Sequence, residues 1–330
     1  MVKDFFTPES ELIKTIVKNL KYRVNHWKNE LTDQKHKLLI LLYHRVLPEV
    51  RFNPINTIIT EKTFVKQIDM LMKRYPIISL TDAINQCHTG QAKNKAQVVL
   101  TFDDGYWDNY EVAFPILREK GLSATFFLTT DYINKNKPVW DWEILTLLVR
   151  DCADIHSIEI ENELLKQGMR ESRLSFAVRV IDSMKSITVD KIQEIMGLLR
   201  KHSKNKLTNV NQDHGISWEQ AKRMSVCGME IGAHGVTHRS LSRLPHEEAV
   251  QEIDQSKSII ENWIGKSCVH FAFPFGNHND CAYGLVDHFK ETGFQSCLLN
   301  IRGYNYVKQD SFYFKRISMK EWSNLDYLLG

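Results

Sequence analysis

Leu100–Tyr106 reads LTFDDGY. It completes the run Gln97–Phe102, QVVLTF, which is short, apolar and uninterrupted, and so reads as a strand covered on both faces. The run ends in two adjacent carboxylates, Asp103 and Asp104, followed by Gly105, which lets the backbone turn sharply beside them. Two acids side by side do not share one role comfortably; one can bind a cation while the other takes protons. An Asp-Asp-Gly is also an ordinary turn after a strand, so the choice depends on what surrounds it.

Outward from this stretch, similar buried runs recur at Leu38–Tyr43 (LLILLY), Ala124–Leu128 (ATFFL), Met229–Ala233 (MEIGA), Val269–Phe273 (VHFAF) and Gln295–Leu299 (QSCLL). Ile77–Leu80 and Phe312–Ile317 are weaker candidates. Helical patterns separate them near Glu61–Arg74, Tyr110–Lys120, Ser217–Val226, His246–Trp263 and Ala282–Thr292. Strand alternating with helix implies parallel strands joined by crossover helices. The expected fold is α/β, a distorted (β/α) barrel of about seven parallel strands, in which acids at the C-terminal end of a strand face the catalytic side. Residues 141–214 break the rhythm. They are polar and helix-rich with little strand signal, and read as a helical insertion, with Lys201–Asn211 its best loop. The organisation is then an N-terminal amphipathic segment, 1–36, and a barrel, 37–330, carrying that insertion. There is no internal repeat.

The chain has 330 residues, 43% hydrophobic and 25% charged, an ordinary globular composition. Its net charge of +3 is too small for this size to argue for nucleic acid. Cys87, Cys152, Cys227, Cys268, Cys281 and Cys297 contain no C-x-x-C pair, which disfavours a thiolate zinc site. Their scatter reads as free thiols and favours a reducing compartment. Glu11, Lys14 and Lys18 interrupt the first apolar residues, so a secretory signal is not expected. No apolar run is long enough for a transmembrane segment. The expected location is cytoplasmic. Leu12, Ile16, Leu20, Val24 and Trp27 at helical spacing mark a helix over 8–30. It either packs on the domain or lies on anionic lipid as a peripheral membrane contact.

A second polar segment, Ile231–His238 (IGAHGVTH), also follows a strand. His234 and His238, four apart, face one way if the segment turns helically. Two imidazoles with one Asp, leaving a position open for water, suit a catalytic divalent ion better than a closed structural site. Histidines at this spacing are also common by chance.

At these residues the chain resembles the polysaccharide deacetylases of the NodB-homology type, carbohydrate esterase family 4. TFDDG and H-x-x-x-H occur in that order on that strand pattern, and PILREKGLSATFFL (Pro115–Leu128), Ser217–His238 and FAFPFG (Phe271–Gly276) agree. The resemblance runs from about Leu38 to Ile317, with 141–214 unmatched. It implies Asp103 as the general base, Asp104, His234 and His238 as metal ligands, and the Tyr106 backbone N–H as an oxyanion donor. Trp140 and Trp142 in VWDW, with Pro274 and Phe275, are the implied cleft residues; either tryptophan is equally a core residue.

The chain departs from the family in two places. It has no histidine after His288 to fill the family's late Leu-x-His, and His288 sits in a helical pattern. His44, in Tyr43–Val46 (YHRV), is the better acid, as in the poly-N-acetylglucosamine deacetylases that use an early Tyr-His; a structural histidine bonding a loop carbonyl is the competing reading. Ala272 stands where the family has an arginine that orients the base. Arg316 in FKRI is a candidate replacement, or else a surface or packing arginine. His278 in GNHND either approaches the cleft or, as the favoured reading, is a loop histidine.

A glycoside hydrolase also needs two acids, but about 5–10 Å apart across the bond and without the histidines. A decayed barrel that only binds sugar, and a hydrolase of another non-peptide C–N bond, are compatible with the same residues. The expected activity is metal-dependent hydrolysis of the acetamido bond of N-acetylhexosamine units in a polysaccharide or a saccharide intermediate. Zinc is the expected ion, with cobalt, nickel or manganese compatible with the same ligands.

Overall fold

None of the apolar runs alternates, and this decides the architecture. β1 (Lys37–Tyr43) and β4 (Gln97–Phe102) are buried along nearly their whole length, so each needs cover on both faces. They pair in parallel from Leu38 opposite Gln97 to Tyr43 opposite Phe102. The computed structural model describes residues 37–323 apart from 90–95, 136–137, 153, 162, 204–213 and 307–308. The helix read at 8–30 and most of the loop Lys201–Asn211 lie outside them.

The sheet continues in chain order through β5 (Thr125–Leu128), β8 (Glu230–Ala233), β9 (His270–Ala272) and β10 (Ser296–Leu298), all parallel. Beyond β10 the chain curls the sheet. Phe314 bridges Leu298, and β12 (Ile317–Ser318) pairs in parallel with Leu41 and Leu42 of β1. One short segment thus hydrogen-bonds to both β10 and β1, giving seven parallel strands in a distorted (β/α) barrel. β11 (Asn305–Tyr306) adds an antiparallel pair to the start of β1. β2 (Arg45–Leu47) and β3 (Ile58–Thr60) form a separate parallel pair.

The crossovers are α1 (Glu61–Arg74), α2 (Leu80–Thr89), α3 (Phe114–Glu119), α7 (Trp218–Val226), α8 (His246–Ile264) and α9 (Val286–Glu291). Their ends follow local chemistry. Thr60 caps α1, Ser217 and Gln220 form a capping box on α7, and Gly265 ends α8 at φ 73°. Two expected helices start differently: Tyr110–Lys120 opens with a wide π-type turn at Asn109–Ala113, and Ala282–Thr292 with a 3₁₀ turn at Tyr283–Leu285. The weak strand at Ile77–Leu80 is corrected. Only Ile77 bridges Val98, and Leu80 starts α2, whose Leu80, Ala83, Ile84 and Cys87 form one buried helical face. No described helix is long and apolar enough to cross a membrane. All six cysteines are free.

The helix-rich segment 141–214 holds α5 (Arg173–Met184) and α6 (Val189–His202), and α4 (Trp140–Thr146) starts one residue before it. It also holds a hairpin, β6 (Ser157–Ile160) and β7 (Glu163–Lys166), where little strand was expected. β6 alternates exposed and buried residues over only four positions, too short a pattern to stand out. The segment's buried residues, including Leu147, Leu148, Phe176, Val180 and Met196, form one core with Leu47, Ile58, Tyr106 and Tyr132 of the barrel. Buried Glu143 of α4 is held in a two-point ion pair by Arg200 of α6, at 2.6 and 2.7 Å.

At the N-terminal end of the barrel, polar groups replace apolar packing. Glu230 accepts from Leu80 N, Thr81 N and the Thr125 hydroxyl at 2.6–3.0 Å. His270 bonds Thr81 Oγ1 and Ser296 Oγ, each at 2.9 Å. A Cβ on Gly232 would sit 2.5 Å from the Phe127 ring, so only glycine lets β8 approach β5 here.

Burial pushes the His270 imidazole down to about 4, although Glu230 pulls the other way. The native ring stays neutral where the unfolded chain, with its ordinary value near 6.5, takes a proton. This contribution is complete above about pH 6.5 and is lost as pH falls toward 4. Urea midpoints measured across that window should fall more steeply for the native chain than for His270→Gln; parallel curves would contradict the assignment.

Candidate active site

β4 delivers Asp103 and Asp104 to the C-terminal rim. Asp103 N bonds Tyr43 O at 3.1 Å, so the first acid is still in register with β1. The chain then reverses through Asp104 at φ 75° and Gly105 at φ 78°. A Cβ on Gly105 would meet the Leu128 side chain at 2.9 Å, so glycine is needed for space as well as conformation. The left-handed turn points the two carboxylates differently.

Asp103 meets Arg316 in a bidentate pair, Oδ1–Nη1 and Oδ2–Nη2 both 2.7 Å. Arg316 is 1% exposed and donates through Nε to Leu299 O at 3.0 Å, so it is neither a surface arginine nor only a packing one. Burial pushes the Asp103 carboxyl up, but Arg316, aided by His234, outweighs it and holds the acid below its usual range.

Asp104 turns instead to the histidines, with Oδ1 at 3.5 Å from His234 Nε2 and 3.3 Å from His238 Nε2. Its carboxyl lies well below the ordinary range: burial raises it, and bonds to His234 and His238 more than reverse that. The residues between the histidines do not form the expected helical turn. β8 stops at Ala233, and the loop bends through Gly235 at φ 74° and His238 at φ 60°. The cause is Glu252 of α8, whose carboxylate accepts from Val236 N, Thr237 N and the Thr237 hydroxyl and draws the loop around itself. The imidazoles still converge, ring centres 5.1 Å apart.

Asp104, His234 and His238 offer three ligand atoms within 4.8 Å of one another. Donors bound tetrahedrally at zinc-like distances lie about 3.4 Å apart, close to the 3.3 and 3.5 Å separations from Asp104. His234 Nδ1 is 2.7 Å from Ala272 O. A carbonyl only accepts, so Nδ1 carries the proton and Nε2 presents its lone pair to the cluster. Burial disfavours a charged His238, yet Asp141 and Asp104 push it up to about 10. The local potential favours positive charge. These residues fit a divalent cation.

The cluster opens into a cavity of about 430 Å³. His44, Tyr106, Trp142 and Phe275 line it. His44 follows β1 and is held by its carbonyl, which accepts from Asn109 Nδ2 at 2.7 Å. Asp108, fully buried, takes Arg45 Nε at 2.9 Å and Val46 N at 2.8 Å, so the residues after TFDDG brace the His44 strand end. The Tyr106 ring lies 4.5 Å beneath the Arg45 guanidinium. Its backbone faces Gly215, with the bridging bonds at Gly105 O and Trp107 N on either side.

Trp140 and Pro274 do not line the cavity. Trp140 is buried, and its Nε1–H donates to Thr237 O at 3.2 Å. His288 pairs with Asp254 at 2.7 Å and His278 faces Tyr283 Oη at 3.2 Å, both outside the cavity. The sequence reading missed Glu252, the Asp108–Asn109 brace and the share of the wall from segment 141–214: Leu145, Val178, Ile181 and Lys185. Asp108 lies only four residues beyond Asp104, a proximity the sequence carries; the others left no local signal.

A Bacillus subtilis (strain 168) protein named "Putative polysaccharide deacetylase YxkH" is 20% identical over 265 residues, 80% of this chain; the chain spans 64% of that relative's length. Among solved structures, the Streptococcus pyogenes deacetylase PplD in complex with acetate superposes with TM-score 0.58 at 18% identity, covering 89% of this chain and 96% of that one. IcaB from Ammonifex degensii superposes with TM-score 0.55 at 17% identity, covering 87% and 93%. At these identities the structural likeness is one of fold. The family model for polysaccharide deacetylase matches residues 90–295, well over half of the sequence, and the chain therefore belongs to the polysaccharide deacetylase family.

Proposed function

We propose that this protein hydrolyses the acetamido bond of N-acetylhexosamine units in a glycan or a saccharide intermediate, releasing acetate, with a divalent ion, zinc by preference. The observation that carries the reading is the division of labour between neighbouring acids. Asp103 is tied to a guanidinium, and Asp104 to two imidazoles, on the floor of one cavity that also holds His44. A glycoside hydrolase would need its acids on opposite sides of the bond. The S. pyogenes neighbour, a deacetylase solved with acetate, agrees with the same class.

Asp104, His234 and His238 would hold the ion, which would supply Lewis acidity toward the acetyl carbonyl and the attacking water. Asp103 takes the water's proton. Arg316 occupies both its oxygens from one side, fixing the carboxylate plane and keeping it ionised between turnovers. The Tyr106 N–H supports the developing oxyanion. His44 delivers a proton to the departing nitrogen, because an amide anion is a very poor leaving group. Trp142 and Phe275 offer ring surface to the sugar.

The primary test is acetate release from N-acetylglucosamine oligosaccharides by chelator-stripped protein, before and after zinc is returned. Release restored by zinc is expected; firmly bound zinc without release would overturn the saccharide reading. Asp103→Asn should retain zinc while turnover drops by at least about 100-fold, measured by single-turnover acetate release and metal content. It should also unfold more readily, since a buried Arg316 left without its counter-charge costs about 3–5 kcal/mol.

His44→Ala should lose about 10²–10⁴-fold on N-acetyl substrates but much less on 4-nitrophenyl acetate, whose leaving group needs no proton. Equal losses on both would remove His44 from the acid role.

A further inference from the structure

The inserted segment is anchored on the loop that carries the histidines. Trp140 Nε1 donates to Thr237 O at 3.2 Å. Ser240 N donates to Lys185 O at 3.1 Å. The Lys185 ammonium sits 4.1 Å from the Phe275 ring centre, and that ring lies 4.9 Å from the His238 ring. The same ammonium pairs with buried Asp280 at 3.0 Å, and Asp280 also accepts from Ser240 Oγ at 2.8 Å.

Within this frame, Asp141 in the first turn of α4 places Oδ1 at 3.4 Å from His238 Nδ1. Both atoms are buried and neither has a well-formed hydrogen bond. A buried polar atom without a partner is costly, and here two complementary ones face each other. The other histidine is satisfied differently, its Nδ1–H going to the neutral Ala272 carbonyl at 2.7 Å. An imidazole that ligates through Nε2 must carry its proton on Nδ1. A carboxylate accepting that proton fixes the ring and makes Nε2 a stronger donor.

We infer that Asp141 is the positioning residue for His238, so that the inserted segment completes the ion site rather than only walling the cleft. This rests on the reading of Asp104, His234 and His238 as ligands. The start of α4 is firmly held. Glu143, in the same first turn, is locked by Arg200, and Trp140 is buried against the loop.

The test is zinc affinity of the full-length chain, measured by competition with a chromophoric chelator. Asp141→Asn should weaken zinc binding by about 10–100-fold, and Asp141→Glu, which keeps the charge, should recover most of it. Asp254→Asn is the control. Asp254 is a half-exposed carboxylate outside the cavity, paired with His288 at 2.7 Å, and its loss should leave zinc affinity unchanged. Asp141→Asn binding zinc as tightly as the native chain would overturn the inference and leave the ligand assignment standing. A native chain that binds no zinc would overturn both. Should Asp141→Asn fail to fold, the native zinc-loaded chain decides: the His238 Nδ1 proton should be a slowly exchanging, downfield resonance. Rapid exchange with water would remove Asp141 as its acceptor.

Discussion

The contact between Asp103 and Arg316 is the constraint on which the rest of the site depends. Both side chains are removed from water, and each is acceptable there only because of the other. The pair lies between β4 and the last strand, so it acts in two ways. It fastens the segment that pairs with both edges of the sheet, and it settles the orientation of the first acid. Asp104 can then turn away toward the histidines without competing for the same cation. Replacing the pair with apolar residues would in principle leave a comparable core. Stability alone therefore does not account for the pair at this position.

Backbone strain is concentrated in the same place. Of the non-glycine residues with left-handed φ among those described, Asn56, Asp104, His238 and Phe275 all line the cavity. Such conformations cost on the order of 1–3 kcal/mol each and persist only where neighbours over-determine them. The neighbours are identifiable: the Glu252 carboxylate that gathers the His234–His238 loop, and Lys185 above Phe275. The barrel's unstrained strands carry the loops, and the loops carry the geometry.

The strands were legible in the sequence because each apolar run is short, continuous and punctuated, and β4 begins and ends where its composition changes. The two acids and two histidines were legible as motifs at strand ends. Their convergence was expected for an incorrect reason, since a bend around Glu252, and no helical turn, brings the imidazoles together. Glu252 lies in the middle of a long amphipathic helix, where a charged residue normally signals solvent. Arg316 precedes a two-residue strand, too short for any periodicity to say which way its side chain points. Helix α2 was missed because four buried positions within ten residues, next to a single-residue bridge, resemble a strand start. The function of the 141–214 segment was opaque for a simpler reason: its contacts with the site are long-range, and none leaves a local pattern.

The chain order of the Asp103–Arg316 pair has a consequence for synthesis. The two residues are 213 positions apart. At roughly 5–20 residues per second, translation needs on the order of 10–40 s to proceed from one to the other. Throughout that interval the nascent barrel has an acid at its centre with no guanidinium to meet it, and an open edge on β1. The carboxyl must either stay hydrated or take up a proton. The final consolidation of this fold is therefore deferred until Arg316 and the strand that follows it have left the ribosome, however early the preceding strands assemble.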